Sequence, residues 1–265
     1  MLIARFTTGD GASFGVVEGD PTPVDGAAVT IRAIEGHPFA PFQVTGEPVP
    51  LADVRLLAPV LPSKIVAIGR NYADHVSEMG GESNLSEPPV VFLKPSTAVI
   101  GPGDPIQYPV GISSDVHFEG ELAVVISRLC RDVPAERAAD VVLGFTCAND
   151  VTARDLQRSD QQWGRAKGFD TFCPLGPWIA TGLDPSDLSV TTTVNGELRQ
   201  AGRTSQLMRG VDQVVAHITA AMTLLPGDVI LTGTPAGVGP LAVGDEVSVT
   251  IERVGTLTNT VVARG

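Results

Sequence analysis

Glu119 and Glu121 stand two residues apart in VHFEGELAVVIS, and Asp150 ends GFTCAND. Both segments otherwise have the apolar composition of buried strands. Ionised carboxylates are rarely placed among apolar residues unless something positive compensates them. Neither segment holds a Lys or Arg up to Asp150, so a divalent cation is the expected compensator. Residues two apart on a strand project to one face, so Glu119 and Glu121 can converge. Gly120 between them leaves room for another backbone. Oxygen donors of this kind suit Mg²⁺ (or Mn²⁺), with coordination positions left for water and substrate. The set contains no His or Cys, which argues against a zinc-type site. Two ordinary alternatives stand beside this reading. A solvated edge strand also shows E-x-E, and Asp150 at a strand–helix junction also fits a helix N-cap.

Other candidates flank the carboxylates. VTARDLQRSDQQW is predicted to be a helix, with Arg154 and Gln157 on the face below Asp150 and suited to a substrate carboxylate or carbonyl. Asp155 and Arg158 belong to its solvated side. Lys167 in GRAKGFDTFCPLGP either holds a substrate carboxylate or stabilises an oxyanion, or is a surface lysine. In GRNYADHVSEMGGESN (69–84), a short helix would put His75 and Glu78 on one face, an imidazole base with its orienting carboxylate. Gly80 and Gly81 follow as in a mobile lid. An isolated H-x-x-E also fits a surface ion pair. LTGTPAGVGP (231–240) ends a strand in a Gly- and Thr-rich turn whose N–H groups could cradle an anion. It is not a phosphate-binding P-loop, and no G-x-G-x-x-G occurs in strand–helix context.

These residues must be positioned by a chain of 265 residues, 43 % hydrophobic, with 29 glycines and 21 prolines. That composition predicts one large or one large plus one small domain, β-rich and with many turns. Residues 1–57 read as a small β-rich lead domain with strands at LIARF, SFGVVEG and AAVTIRAIEG. APVLPSK (58–64) reads as an extended linker opening a main domain over 58–265. Strands are expected at KIVAIG, VVFLKP, ELAVVIS, GFTCAND and DVILTG, and helices at PAERAADVV and VDQVVAHITAAMTL. VTTTVNGELRQ should be a hairpin turning at Asn195-Gly196, and a second hairpin closes the chain. The fold class is therefore α+β, β-rich and largely antiparallel, with short flanking helices.

The net charge of −12 and the lack of a basic run exclude nucleic acid as an expected partner and disfavour anionic membranes. Three cysteines without a C-x-x-C suit a reducing cytoplasm, with Cys147 and Cys173 as buried hydrophobes. The opening MLIARFTTGDGASFGVVEGD lacks the apolar run of a secretory leader.

The segments IGRNYADHVSEMG, PVVFLKPSTAVIGPGDPI, VHFEGELAVVI, GFTCANDVTARDLQ, AKGFDTFCPLGPWI and LTGTPAGVGP together resemble the fumarylacetoacetate hydrolase family, from about residue 64 to 240. The lead segment looks like the small N-terminal domain of many bacterial members. The resemblance implies a mixed β-sandwich roll and a homodimer. It implies Mg²⁺ or Mn²⁺ on Glu119, Glu121 and Asp150, and a His75–Glu78 dyad on a lid. It also implies substrate contacts from Lys167, Arg154, Gln157 and Thr234. The resemblance implies action on 2-oxo acids and their enols, with a metal-bound enolate as the expected intermediate. C–C cleavage of an acylpyruvate or oxaloacetate is the expected reaction. Isomerisation of a 2-hydroxyhepta-2,4-diene-1,7-dioate in aromatic-acid breakdown is the alternative. A metal-dependent dicarboxylate-binding module without turnover is the rival from another class.

Overall fold

A computed structural model describes residues 1–9, 11–19, 29–82 and 84–265. The first two residues of AAVTIRAIEG and Ser83 of the lid stretch lie outside the described residues. The fold is built on a large mixed sheet, one end of which runs Val142–Asn149, Gly120–Ile126, Val229–Leu231, Ile65–Gly69 and, at the edge, Val90–Lys94. Pairing is mostly antiparallel, as the many short turns imply. Val229–Leu231 and Ile65–Gly69 are an exception and run parallel. Five- and three-stranded sheets complete the architecture.

Gly120–Ile126 is buried along its whole length, and its side chains divide by parity. Leu122, Val124 and Ile126 join one core, and Ala123 and Val125 join another on the opposite face. The first core is covered by the helix Val211–Ala221, which inserts Val214, Val215 and Ile218. Full burial of each such side chain is worth roughly 1.5–3 kcal/mol. A strand covered on both faces reads as a continuous apolar run, so GELAVVI was legible as a strand while its one charge stood out.

The lead segment forms strands at Leu2–Thr7, Ser13–Glu18 and Thr30–Glu35. The first of these pairs with Cys173–Ala180, so the large sheet continues into the lead segment. Asn195 and Gly196 take φ of 52° and 78°, the left-handed pair that an Asn-Gly hairpin turn demands. All three cysteines are free and buried. Among the described residues no helix is long and apolar enough to cross a membrane.

The structure corrects the helix expected over VTARDLQRSDQQW. Thr152–Ala153 is instead a short strand paired with Val116–Phe118. The helix spans only Arg154–Ser159, and a second one spans Gly164–Lys167. Val151 and Thr152 are β-branched and fully buried, which favours extended backbone over helix. Gln161, at φ 55°, separates the two helices.

Candidate active site

The strand register delivers the carboxylates to one point. Val116–Phe118 and Gly120–Ile126 belong to different sheets, and Glu119 is the hinge residue between them rather than a strand residue. Its N–H is fixed by Asn149 Oδ1 at 2.9 Å, and Asp150 N donates to Glu119 O at 2.8 Å. Oxygens of Glu119, Glu121 and Asp150 lie within 4.8 Å of one another, and all three residues are buried. Gly120 is required, though not by a backbone: a Cβ there would stand 2.1 Å from Thr192 Oγ1. Asp150 is not an N-cap, because Ala153 occupies that position and no side chain caps the helix.

Basic residues from outside the two segments also compensate this cluster. Lys94 Nζ meets Asp150 Oδ1 at 2.5 Å. Lys167 Nζ bridges Glu119 Oε2 and Asp150 Oδ2 at 2.6 Å each, and Arg154 pairs with the other Glu119 oxygen. All three cations are buried. The pairing is uneven, however: among the described residues no cation pairs with Glu121, whose Oε2 accepts only Gly233 N–H at 2.6 Å. Gly233 sits at φ 105°, and a Cβ there would meet Asn71 Cβ at 2.9 Å, so only glycine serves.

The uneven pairing separates the carboxylates electrostatically. Burial works to raise the Glu119 pKa, but Arg154, Lys167 and His75 hold it well below the usual carboxylate range. Burial, then Asp150 and Glu119, push Glu121 well above it. Burial opposes the Lys167 charge, yet Asp150 and Glu119 raise its pKa.

A cavity of about 240 Å³ opens on this cluster, small enough for a metabolite rather than a drug-sized ligand. His75, from the helix Ala73–Glu78, lines it; its Nδ1 lies 3.4 Å from Glu78 Oε2. Gly237 N–H holds Glu78 at 3.1 and 3.2 Å from its two oxygens. Two backbone N–H groups of the Gly- and Thr-rich turn thus donate to the protein's own carboxyl groups, Gly233 to Glu121 and Gly237 to Glu78. Arg154 and Gln157 line the cavity and hydrogen-bond each other at 2.9 Å. Arg154 Nε is buried with no partner among the described residues. Thr234 also lines the cavity, but its hydroxyl donates to Gly120 O and accepts from Gln200 Nε2. Asp155 and Arg158 are tied to Ser113 and Asp115. Phe92 and Trp163 pack edge to face at 5.3 Å on another wall, with Lys167 Nζ 4.9 Å from the Phe92 ring centre. Sequence reasoning missed Lys94, which read as the polar end of an ordinary strand.

The donor set fits a divalent metal. It offers hard carboxylate oxygens at convergent positions and one buried carboxylate with no cation of its own.

The family described as Fumarylacetoacetate (FAA) hydrolase C-terminal matches residues 64–262, and the one described as Rv2993c-like, N-terminal matches residues 1–59. The chain belongs to the fumarylacetoacetate hydrolase family. A solved structure of 5-carboxymethyl-2-hydroxymuconate delta-isomerase from Mycobacterium smegmatis is 55 % identical, with a TM-score of 0.91 over the whole of both chains. Oxaloacetate tautomerase YisK of Bacillus subtilis is 42 % identical over 79 % of this chain and 73 % of its own. The structure of maleylpyruvate hydrolase from Sphingobium with manganese(II) and pyruvate is 33 % identical, with a TM-score of 0.81 over both whole chains. Members of this family thus include tautomerases, isomerases and hydrolases of small organic acids.

Proposed function

We propose that this protein is a divalent-metal-dependent enzyme that moves a proton at the carbon next to the 2-oxo group of a small carboxylic acid, interconverting its keto and enol forms. One observation carries the reading: His75, with Glu78 behind it, and a buried carboxylate triad face a single metabolite-sized cavity, which His75 and the three carboxylates line. Glu119, Glu121 and Asp150 would hold Mg²⁺ or Mn²⁺, which when bound supplies Lewis-acid polarisation of the 2-oxo group. His75 takes the proton from carbon and returns it at the product position. Glu78 orients the ring and is itself fixed by Gly237. Lys167 places a buried positive charge where negative charge develops on substrate oxygen. Arg154, braced by Glu119 and Gln157, keeps its free Nε–H for the substrate carboxylate, and Thr234 shapes the adjoining wall. Phe92 and Trp163 exclude water.

Support for ranking proton transfer ahead of C–C cleavage comes from the tautomerase at 42 % and the isomerase at 55 % identity. Cleavage is the second reading, because the same dyad can deprotonate water and a hydrolase stands at 33 %. The division into domains at residues 57 and 58 belongs to the same proposal, supported by two family matches that meet between residues 59 and 64. The homodimer and the cytoplasmic location rest on the family resemblance and the cysteine content.

The test is to strip the protein with chelator, restore Mg²⁺ or Mn²⁺, and follow ultraviolet absorbance of oxaloacetate, acetylpyruvate and a hydroxyheptadienedioate. We expect metal-dependent decay of the oxaloacetate enol band or a shift of the dienol band. Loss of acetylpyruvate, or of oxaloacetate carbon as CO₂, would put cleavage first. Binding without turnover would make the protein a binding module.

A further inference from the structure

We propose that Arg70 receives the distal carboxylate of a dicarboxylic substrate and thereby selects dicarboxylates over 2-oxo monocarboxylates. The inference rests on the function proposed above, which puts the 2-oxo acid end of the substrate at the Glu119, Glu121 and Asp150 cluster.

Four cationic residues line the cavity: Arg70, Arg154, Arg158 and Lys167. Three are already paired with carboxylates of the protein, and two of these, Arg154 and Lys167, serve the 2-oxo acid end of the substrate in the function proposed above. Lys167 bridges Glu119 and Asp150, Arg154 holds Glu119 and Gln157, and Arg158 pairs with Asp115 at 2.8 Å. Among the described residues Arg70 has neither an ion pair nor a side-chain hydrogen bond. It directly follows the strand Ile65–Gly69 and is exposed.

Its backbone is informative. Arg70 sits at φ 60°, a left-handed conformation that costs a non-glycine residue on the order of 1 kcal/mol and persists where the surroundings over-determine it. The next residue does so. Asn71 Nδ2 donates to Thr232 O at 2.8 Å and Arg209 O at 3.0 Å, and its Oδ1 accepts from Arg209 N at 2.9 Å. Met208 N donates to Asn71 O at 2.8 Å. A glycine or asparagine would adopt this turn at less cost. An arginine held there with no structural partner is a donor kept for a ligand. The chain carries a net charge of −12, so a dianionic substrate needs local positive charge on the wall it approaches. A guanidinium can meet a carboxylate with two parallel hydrogen bonds.

The experiment uses inert ligands that differ only at the distal group: malate and 2-hydroxybutanoate. Their dissociation constants are measured by calorimetry with Mn²⁺ present, on wild type and on Arg70→Met, Arg70→Lys and Arg70→Gly. In Arg70→Met, malate should bind about 10- to 100-fold more weakly, while 2-hydroxybutanoate changes less than about two-fold, as expected where no charged contact is lost. Arg70→Lys should fall between, because the ammonium keeps the charge and loses the fork. Arg70→Gly should bind malate as Arg70→Met does and melt no lower than wild type, because the left-handed strain is relieved. Equal weakening of both ligands, or malate binding unchanged by all three variants, would overturn the proposal while leaving the metal site standing. If wild type with Mn²⁺ bound took up neither ligand, the functional reading would fail and the role of Arg70 with it.

Discussion

The parallel strands Ile65–Gly69 and Val229–Leu231 carry a buried carboxylate near each of their two ends, and the ends behave oppositely. Where the strands begin, Asp228 accepts hydrogen bonds from Ser63 N and Oγ, Lys64 N and Nζ, and Leu225 N. Burial would raise its pKa, but Lys64 and Ser63 bring it below the ordinary value. Where the strands end, Glu121 accepts one N–H from Gly233 and pairs with no cation among the described residues, and its pKa is pushed up. The chain there also passes through left-handed residues, Arg70 and Gly233. The saturated end holds strands together. The unsaturated end stores an unmet demand for positive charge, which a metal ion can satisfy. Ligands gather at the carboxyl ends of parallel strands in many α/β proteins, and here the parallel pair Ile65–Gly69 and Val229–Leu231 puts its carboxyl ends at the cavity.

Substitution at Glu121 should break the contrast most sharply. Glu121→Gln is expected to lower kcat/KM by about 1,000-fold, the several kcal/mol of a lost metal ligand, measured with saturating Mn²⁺. Removing the base should cost less: we expect His75→Ala to lower kcat about 100- to 10,000-fold without changing the melting temperature by more than a degree or two. An intact rate in that variant would transfer the proton-moving role to another group. Asp228→Ala should do the reverse, destabilising the fold by about 2–4 kcal/mol through its orphaned partners in a urea titration. Its activity per folded molecule should stay near wild type. Comparable losses of activity in the two variants would dissolve the distinction between the ends.

The smallest expected effect is on pH. Folding raises the Glu121 pKa above its ordinary 4.5, so the folded state binds its proton more tightly than the unfolded state does. Its contribution to stability is full below the unfolded value and fades as pH rises through the folded one. Metal-free wild type should therefore lose melting temperature over that rise. Glu121→Gln should keep it, gaining about 1–3 kcal/mol over wild type at the upper end, as expected when an unpaired buried charge is removed. Identical pH profiles would mean that Glu121 is compensated after all.

Much of this site was legible in the chain itself. A charge inside GELAVVI is conspicuous because the rest of the strand is apolar on both faces, and His75 and Glu78 share a helical face at any reading of ADHVSE. Asn195-Gly196 declared its hairpin because only residues tolerant of positive φ fit it. Lys94 was hidden because a lysine closing an apolar strand has the same local pattern as one reaching for solvent, and its partner Asp150 lies 56 residues on. Gly120 was misread because what approaches it is the Thr192 side chain from a strand far along the sequence. The helix after Asp150 was drawn too long because its polar residues fit a helix, while buried Val151 and Thr152 answer to cross-strand pairing. Arg70 gave no periodic signal, because its backbone conformation follows from what Asn71 holds.

The most direct test is calorimetric titration of Mn²⁺ into metal-free wild type and metal-free Glu121→Gln, each in two buffers of different protonation heat. If the unsaturated end is a metal centre, wild type will bind one Mn²⁺ per chain and release a proton on the acid side of the Glu121 transition. The variant will bind at least about 10-fold more weakly, with no proton released from position 121. Equal affinity in the two proteins, or no Mn²⁺ bound by wild type, would contradict the assignment of Glu119, Glu121 and Asp150 as the metal site.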